Sequence, residues 1–221
     1  SIWVTGVQTC ALPIYESAVP QSRNRPDRRP DFRELLGPAA WENLPAAVRA
    51  RFAVEAHDGK ITVYRGQMQV KASLGGRWFA QLCRLIGTPV APFVGAEVPV
   101  HVGVFDCAEG IVWERGYEFP GRAPTIVRST KQIDVDGTLI EALNAGLHMR
   151  LHVYEERGAL HFVSTGYFFR AGRLRFALPD WFLPGTTHVM HEDQGNGRFR
   201  FTMRTEHRWF GEMYFQDGIF E

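Results

Sequence analysis

The stretch from Gly146 to Arg170 constrains the fold most strongly, because its residues alternate in the manner of a β-hairpin. One face of its first arm is apolar and consists of Leu147, Met149, Leu151 and Val153. Alternation with a period of two is typical of a half-buried strand. The polar residues 155–158 form a short turn that joins antiparallel strands. The second arm is apolar on both faces, so we expect it to be covered on both sides.

After Pro92 the chain is strand-like almost to its end, with turn residues about every ten positions. The segment 138–145 is ambiguous, since Thr138 and Glu141 have the spacing of a helix capping box. Because it lies between strands, we expect a short strand with a bulge near Gly146. The sequence therefore predicts a mainly β (α+β) fold, either an antiparallel β-barrel or a strongly bent sheet, with short N-terminal helices packed on one opening.

Two helices are predicted before this region. Pro45 begins a short helix that ends near Phe52. A second helix is predicted over 77–86, where Gly87 and Pro89 end it. Its apolar stripe includes Trp78, Phe79 and Leu82, and we expect these three side chains to be buried against the concave side of the sheet.

The first residues of the chain have the character of an artefact. Residues 4–14, VTGVQTCALPI, match codon for codon the translation of a common sequencing-library adapter. We therefore expect residues 1–14 to contribute nothing to the fold, and the true N-terminus to be lost. Residues 15–31 combine prolines and arginines with few apolar residues, which indicates a linker. A single β-rich domain is expected over 32–221.

Charge and cysteine content narrow the classes of partner. The formal net charge is +1, and nucleic-acid binding requires a concentrated basic face, so no nucleic-acid partner is expected. No apolar run approaches the roughly 20 residues that a transmembrane helix needs. Three cysteines without metal-type spacing favour reduced thiols and a cytoplasmic location over a disulfide framework.

Six short motifs resemble those of a known family, and they occur in the expected order. They are residues 48–52 (VRARF), 64–68 (YRGQM), 113–115 (WER), 128–131 (RSTK), 164–167 (STGY) and 215–218 (FQDG). Together they are similar to a bacterial domain-of-unknown-function family, the one numbered 4166, from about Phe32 to the end of the chain. This family has no settled activity, so the resemblance implies no catalytic residues. It implies a β-rich domain that can follow a nucleotide-binding dehydrogenase-like domain.

Histidines do not form a recognisable metal site in the sequence. His148 and His152 share a strand face, whereas His188 and His191 fall on opposite faces of a regular strand. Zinc requires three or four converging ligands, so we expect no metal and no other cofactor. The sequence also lacks the residue order of a Ser-His-Asp catalytic triad, the glycines of a phosphate-binding loop and a dinucleotide-binding motif.

A set of polar residues on predicted strands is more informative. It consists of Glu114, Arg115, Arg128, Lys131, Ser164 and Tyr167. Uncompensated charges beside bulky apolar residues are costly, so these groups are either on the outer face or paired in an interior pocket. Arg128 and Lys131 are three residues apart on one predicted strand, so their side chains lie on opposite faces and only one of them points inward. We expect Arg128 first and Lys131 second to bind a ligand head group, with Tyr167 and His188 as hydrogen-bond partners.

Three functional hypotheses remain open from the sequence. The chain has 16 Phe, 6 Trp and 6 Tyr, which is more large apolar surface than a closed core of this size needs. A barrel of this kind can enclose a small, largely apolar or amphiphilic molecule with a polar or anionic head. The alternatives are an enzyme, decarboxylase- or isomerase-like, that uses Lys131 or a histidine, and an accessory domain of a fused upstream dehydrogenase-like domain.

Overall fold

The structure is a computed structural model that describes residues 28–54, 59–84, 90–172, 174–179 and 183–221. The adapter-like segment, most of the expected linker, and the expected helix end at Gly87 and Pro89 lie outside the described residues. The last residues of the expected linker contact the domain. Ile133 N donates a hydrogen bond to Arg28 O at 2.8 Å, and Arg29 forms an ion pair with Asp106 at 3.1 Å.

Four α-helices, one 3₁₀ helix (Asn144–Gly146) and eleven strands form the regular structure of the described residues. The helices are α1 (Phe32–Leu36), α2 (Pro38–Asn43), α3 (Ala46–Phe52) and α4 (Leu74–Cys83). The strands are β1 (Thr62–Ala72), β2 (Gly95–Cys107), β3 (Gly110–Tyr117), β4 (Thr125–Ile133), β5 (Leu139–Ala142), β6 (Leu147–Glu156), β7 (Ala159–Ala171), β8 (Leu174–Ala177), β9 (Thr186–Gly195), β10 (Arg198–His207) and β11 (Gly211–Phe220).

Ten of these strands form a closed antiparallel β-barrel. Their order around the barrel is β6-β5-β4-β3-β2-β1-β11-β10-β9-β7, and pairing of β6 with β7 closes the ring. β8 lies outside this ring and pairs with the last part of β7. Of the two architectures expected, the barrel is confirmed, and closure removes the unpaired edges that an open sheet would expose.

The first three helices close one end of the barrel, as the sequence predicted. Asp31 caps α1, where its carboxylate accepts hydrogen bonds from Arg33 N at 2.9 Å and Glu34 N at 3.2 Å. Phe32 on α1 packs edge-to-face on Phe162 of β7, and Phe52 at the end of α3 stacks on the indole ring of Trp113. These contacts fill the barrel interior at this end with aromatic rings.

Helix α4 lies at the opposite end, and its orientation corrects the sequence-based expectation. Trp78 and Leu82 were expected to be buried, yet 80% of Trp78 and 58% of Leu82 are exposed. The helix packs through small residues instead, because Gly76, Ala80 and Cys83 form its buried face. A Cβ on Gly76 would lie 1.9 Å from Met213 O, so only glycine permits this close approach to β11.

Candidate functional site: a cavity with a charged cluster inside the barrel

A cavity of about 470 Å³ occupies the α4 end of the barrel. This volume falls within the range of small-molecule binding sites, roughly 300–1,000 Å³. The walls are mostly apolar and include Phe79, Val90, Leu147, Met149, Phe169, Leu178, Val189, Met203 and Met213. The cavity reaches the surface, because the half-exposed side chains of Leu82 and Phe169 also line it.

An ion pair lies inside this cavity. Lys131 on β4 and Glu141 on β5 are cross-strand partners, so their side chains leave the sheet at the same point. Lys131 Nζ lies 3.2 Å from a carboxylate oxygen of Glu141, and both side chains are at least 92% buried. On β3, Arg115 donates to Ser129 Oγ at 3.5 Å. Arg115 and Lys131 carry two positive charges against the single carboxylate of Glu141, so the charged residues described around the cavity carry an excess positive charge.

The protonation of this ion pair follows from its surroundings. Burial lowers the pKa of Lys131, and the neighbouring Glu141 carboxylate offsets part of that effect. Burial opposes ionisation of Glu141, but attraction to Lys131 and Arg115, with hydrogen bonds from Ser129 and Lys131, lowers its pKa overall. Glu141 is therefore the firmly ionised partner, while Lys131 gives up its proton more readily than an exposed lysine.

A chain of hydroxyl groups forms a second polar part of the cavity. Tyr167 Oη lies 3.0 Å from Thr187 Oγ1, which lies 3.0 Å from Thr205 Oγ1. Ser164 Oγ accepts a hydrogen bond from Thr187 N at 2.8 Å. These groups come together because β7 has a bulge: Arg150 pairs with Gly166, whereas Leu151 pairs with Ser164. The extra residue, Thr165, reverses the alternation, so that both Ser164 and Tyr167 are buried.

His191 on β9 is the most unusual polar residue of the cavity wall. It is 3% exposed, and its Nδ1 has no hydrogen-bond partner among the described residues. Rings surround it, including those of Phe52, Trp113, Phe162, Phe199 and Phe201. Burial holds the pKa of His191 well below its usual value, and the positive charges of Arg51, Lys131 and Arg115 lower it further. The imidazole is therefore neutral near pH 7 and has a free polar atom.

The structure brings together only two of the four residues predicted to bind a ligand. Lys131 and Tyr167 both line the cavity. Arg128 points outward, contrary to the expectation that it is the first basic residue of the interior, and its guanidinium lies 5.5 Å from the centre of the Phe105 ring. His188 is also absent from the cavity wall, and its Nε2 lies 2.9 Å from Nδ1 of His161.

Other histidines stack on neighbouring rings. His152, Tyr154, His161 and His188 form a row in which successive ring centres are 4.8–5.7 Å apart. His148 stacks on Phe168 at 5.0 Å. No group of three His, Cys, Asp or Glu side chains placed to hold a metal ion occurs in the described ranges. None of the helices in these ranges combines the length and apolar character needed to cross a bilayer.

Sequence reasoning missed several cavity residues. Glu141 was recognised only as part of a helix-capping pattern, although its pairing with Lys131 defines the charged cluster. Thr187, Thr205 and His191 were not selected, because isolated polar residues on amphipathic strands are common. The alternation of β9 contained a usable signal, since Thr187, Val189 and His191 share one face and all line the cavity.

These features define the class of protein: a closed antiparallel β-barrel with helices at both ends and a largely apolar cavity that contains a charged cluster. The chain belongs to the family described as Domain of unknown function (DUF4166), whose model matches residues 44–220. This match confirms the resemblance that the motifs indicated. No curated protein and no solved structure matches the chain significantly.

Proposed function

We propose that the barrel binds a small amphiphile, with its apolar tail along the cavity wall and its anionic head at Lys131 and Arg115. The observation that carries the proposal is the excess of positive charge in a cavity whose walls are mostly apolar. A buried charge needs a partner, and a carboxylate head group would supply the second negative charge.

The neutral polar groups support the same class of ligand. His191, whose Nδ1 has no partner among the described residues, lines the same cavity as Tyr167. Buried polar atoms are nearly always hydrogen-bonded, so an unpaired atom in a cavity wall favours a ligand or water there. A neutral imidazole can donate to, or accept from, a head group that also contacts Lys131.

Displacement of a fluorescent dye by decanoate and by decan-1-ol tests this proposal. Glu141→Gln removes the competing carboxylate and retains the side-chain shape, so this variant should bind decanoate more tightly than the wild type does. Lys131→Met should weaken decanoate binding about tenfold or more, as expected for a hydrogen bond to a charged group. Decan-1-ol should respond much less to either change.

Two further variants complete this experiment. Arg128→Met removes a charge of the same sign from the outer face, so it should leave decanoate binding unchanged. Lys131→Met leaves Glu141 buried without its partner, which destabilises a fold; the double variant Lys131→Met/Glu141→Gln removes both charges and separates loss of binding from loss of folding. Equal decanoate affinity of the wild type, Glu141→Gln and the double variant would contradict the proposal. Absence of binding to the wild type would favour the accessory-domain hypothesis.

A second candidate, an enzyme that acts on a carbonyl compound, is favoured by the same buried amine. A lysine with a lowered pKa can attack an aldehyde, forming a C=N bond with loss of water. Glu141, 3.2 Å from Lys131 Nζ, is placed to exchange the proton. Decanal with cyanoborohydride should then label Lys131 selectively, as a secondary amine seen by peptide mass spectrometry. Labelling confined to exposed lysines such as Lys60 and Lys71 would exclude this candidate.

A further inference from the structure

Large apolar side chains are exposed around the open end of the barrel. We name this set the apolar rim and define it by seven residues: Leu74, Trp78 and Leu82 on α4, Leu174 and Phe176 on β8, and Trp209 and Phe210 in the β10–β11 turn. All seven are more than half exposed, with Trp78 at 80% and Phe210 at 70%. Large contiguous apolar patches on a protein surface mark interaction sites.

The chain connectivity places these three elements at the same end. α4 follows the last residue of β1, and Ser73 N donates to Met213 O at 3.1 Å, next to the β10–β11 turn. β8 pairs with the end of β7, where Phe176 is opposite Phe169. Leu82, Phe169 and Met213 all line the cavity. The rim therefore borders the cavity opening.

The spacing on α4 separates two functions of this helix. Leu74, Trp78 and Leu82 are four residues apart and form one stripe, whereas the small residues Gly76, Ala80 and Cys83 form the buried face. The exposed stripe is thus available to another surface without disturbing the packing of the helix on the barrel.

The charges of the rim have a predominant sign. α4 and β8 contain no Asp or Glu, and arginines flank the apolar residues: Arg77 before Trp78, Arg84 after α4, and Arg208 before Trp209. On β8, Arg175 pairs with Asp134, and near the β10–β11 turn Arg204 pairs with Glu206 at 3.6 Å and with Glu212 at 3.2 Å. Arg77 and Arg84 form no ion pair with a described residue, so the excess positive charge of the rim lies at α4. Exposed Trp, Phe and Leu beside arginine suit the boundary between anionic head groups and acyl chains.

We infer that the apolar rim docks on the surface of an anionic lipid bilayer. A lipid surface fits better than a protein partner, because the rim surrounds the opening of an apolar cavity. Docking would place that opening against the acyl chains, so that an amphiphile could pass between bilayer and cavity without crossing water. Docking itself requires only the rim; the passage of the ligand rests on the function proposed above.

Co-sedimentation with lipid vesicles tests the docking. The wild type should bind vesicles of phosphatidylcholine with phosphatidylglycerol more strongly than vesicles of phosphatidylcholine alone. Trp78→Ala and Phe210→Ala should each reduce the partition coefficient at least about tenfold, since each removes one large buried side chain from the lipid contact. Arg77→Gln should reduce the preference for the anionic vesicles about fivefold.

A matched control is Ile219→Ala, since Ile219 is 40% exposed on β11 near the end of the barrel that α1–α3 close. Its vesicle binding should equal that of the wild type. Absence of wild-type binding, or equal binding of Trp78→Ala and wild type, would overturn the inference. A wild-type dimer that Trp78→Ala converts to a monomer would also overturn it, because the rim would then be an interface between copies of this chain. Decanoate displacement in the same samples reports the proposed function separately.

Discussion

His191 illustrates how a single residue can be costly for the folded state. Its imidazole is buried among aromatic rings and beside positive charges, and its Nδ1 has no hydrogen-bond partner among the described residues. An unsatisfied buried polar atom costs roughly 1–3 kcal/mol. An unpaired polar atom of this kind is expected in a binding site, where a ligand or a water molecule can complete its contacts.

Replacement of His191 by Phe should change how stability depends on pH. Because the folded-state pKa of His191 is lowered, the unfolded chain binds a proton below about pH 6.5 that the folded chain excludes. The wild type should therefore lose up to about 2 kcal/mol from this group between pH 7 and pH 5. His191→Phe should lose less over the same range. Urea unfolding at both pH values measures the free energy of unfolding of the two proteins. Equal losses of this free energy would show that the pKa of His191 does not differ between the folded and the unfolded chain.

The alternation of side chains along a strand predicts much of the site, although not all of it. The sequence correctly indicated that only one of Arg128 and Lys131 points inward, but alternation alone does not indicate which strand face is the interior. That choice depends on the neighbours: Val127 and Ser129 are buried with Lys131, while Ile126 and Arg128 are exposed. The missed partner Glu141 lies ten residues further along, and only strand pairing brings it to Lys131.

Individual elements were predicted well where their pattern is local. The hairpin over 146–170 is confirmed as β6 and β7, because alternation and a polar turn specify both arms. The bulge at Thr165 was not predicted, since nothing in the local pattern requires an extra residue there. Helix α4 was predicted to pack through its largest side chains, but Gly76 allows it to approach β11 more closely through small residues.

Substitution of Gly76 tests this packing of α4. A Cβ at Gly76 would lie 1.9 Å from the backbone oxygen of Met213, so Gly76→Ala should displace the helix and cost about 1–3 kcal/mol. At Gly75 the nearest atom would be the flexible end of the Met213 side chain at 3.3 Å. Gly75→Ala should therefore be neutral or slightly stabilising, because alanine favours a helix. Chemical denaturation measures the free energy of unfolding of both variants. Equal losses of stability would contradict the close contact between Gly76 and the Met213 backbone.

At the scale of the whole molecule, the barrel has one end closed and the other end open. Helices α1–α3 insert Phe32 and Phe52 among the interior rings at the closed end. At the other end the interior remains a cavity, with its charged cluster and hydroxyl chain. The sequence predicted strands and turns, but closure depends on the pairing of β6 with β7 in a ring of ten strands, a long-range property that alternation does not encode.

The central claim is that a ligand carboxylate meets Lys131 inside the barrel, and the ionisation of that carboxylate is the most direct test. Decanoate labelled with ¹³C at its carboxyl carbon would be followed by NMR in complex with the wild type and with Lys131→Met/Glu141→Gln while the pH is lowered. A nearby positive charge favours the ionised form, so the bound carboxyl should remain ionised to lower pH in the wild type than in the double variant. The same titration curve in both proteins would show that the head group does not contact Lys131.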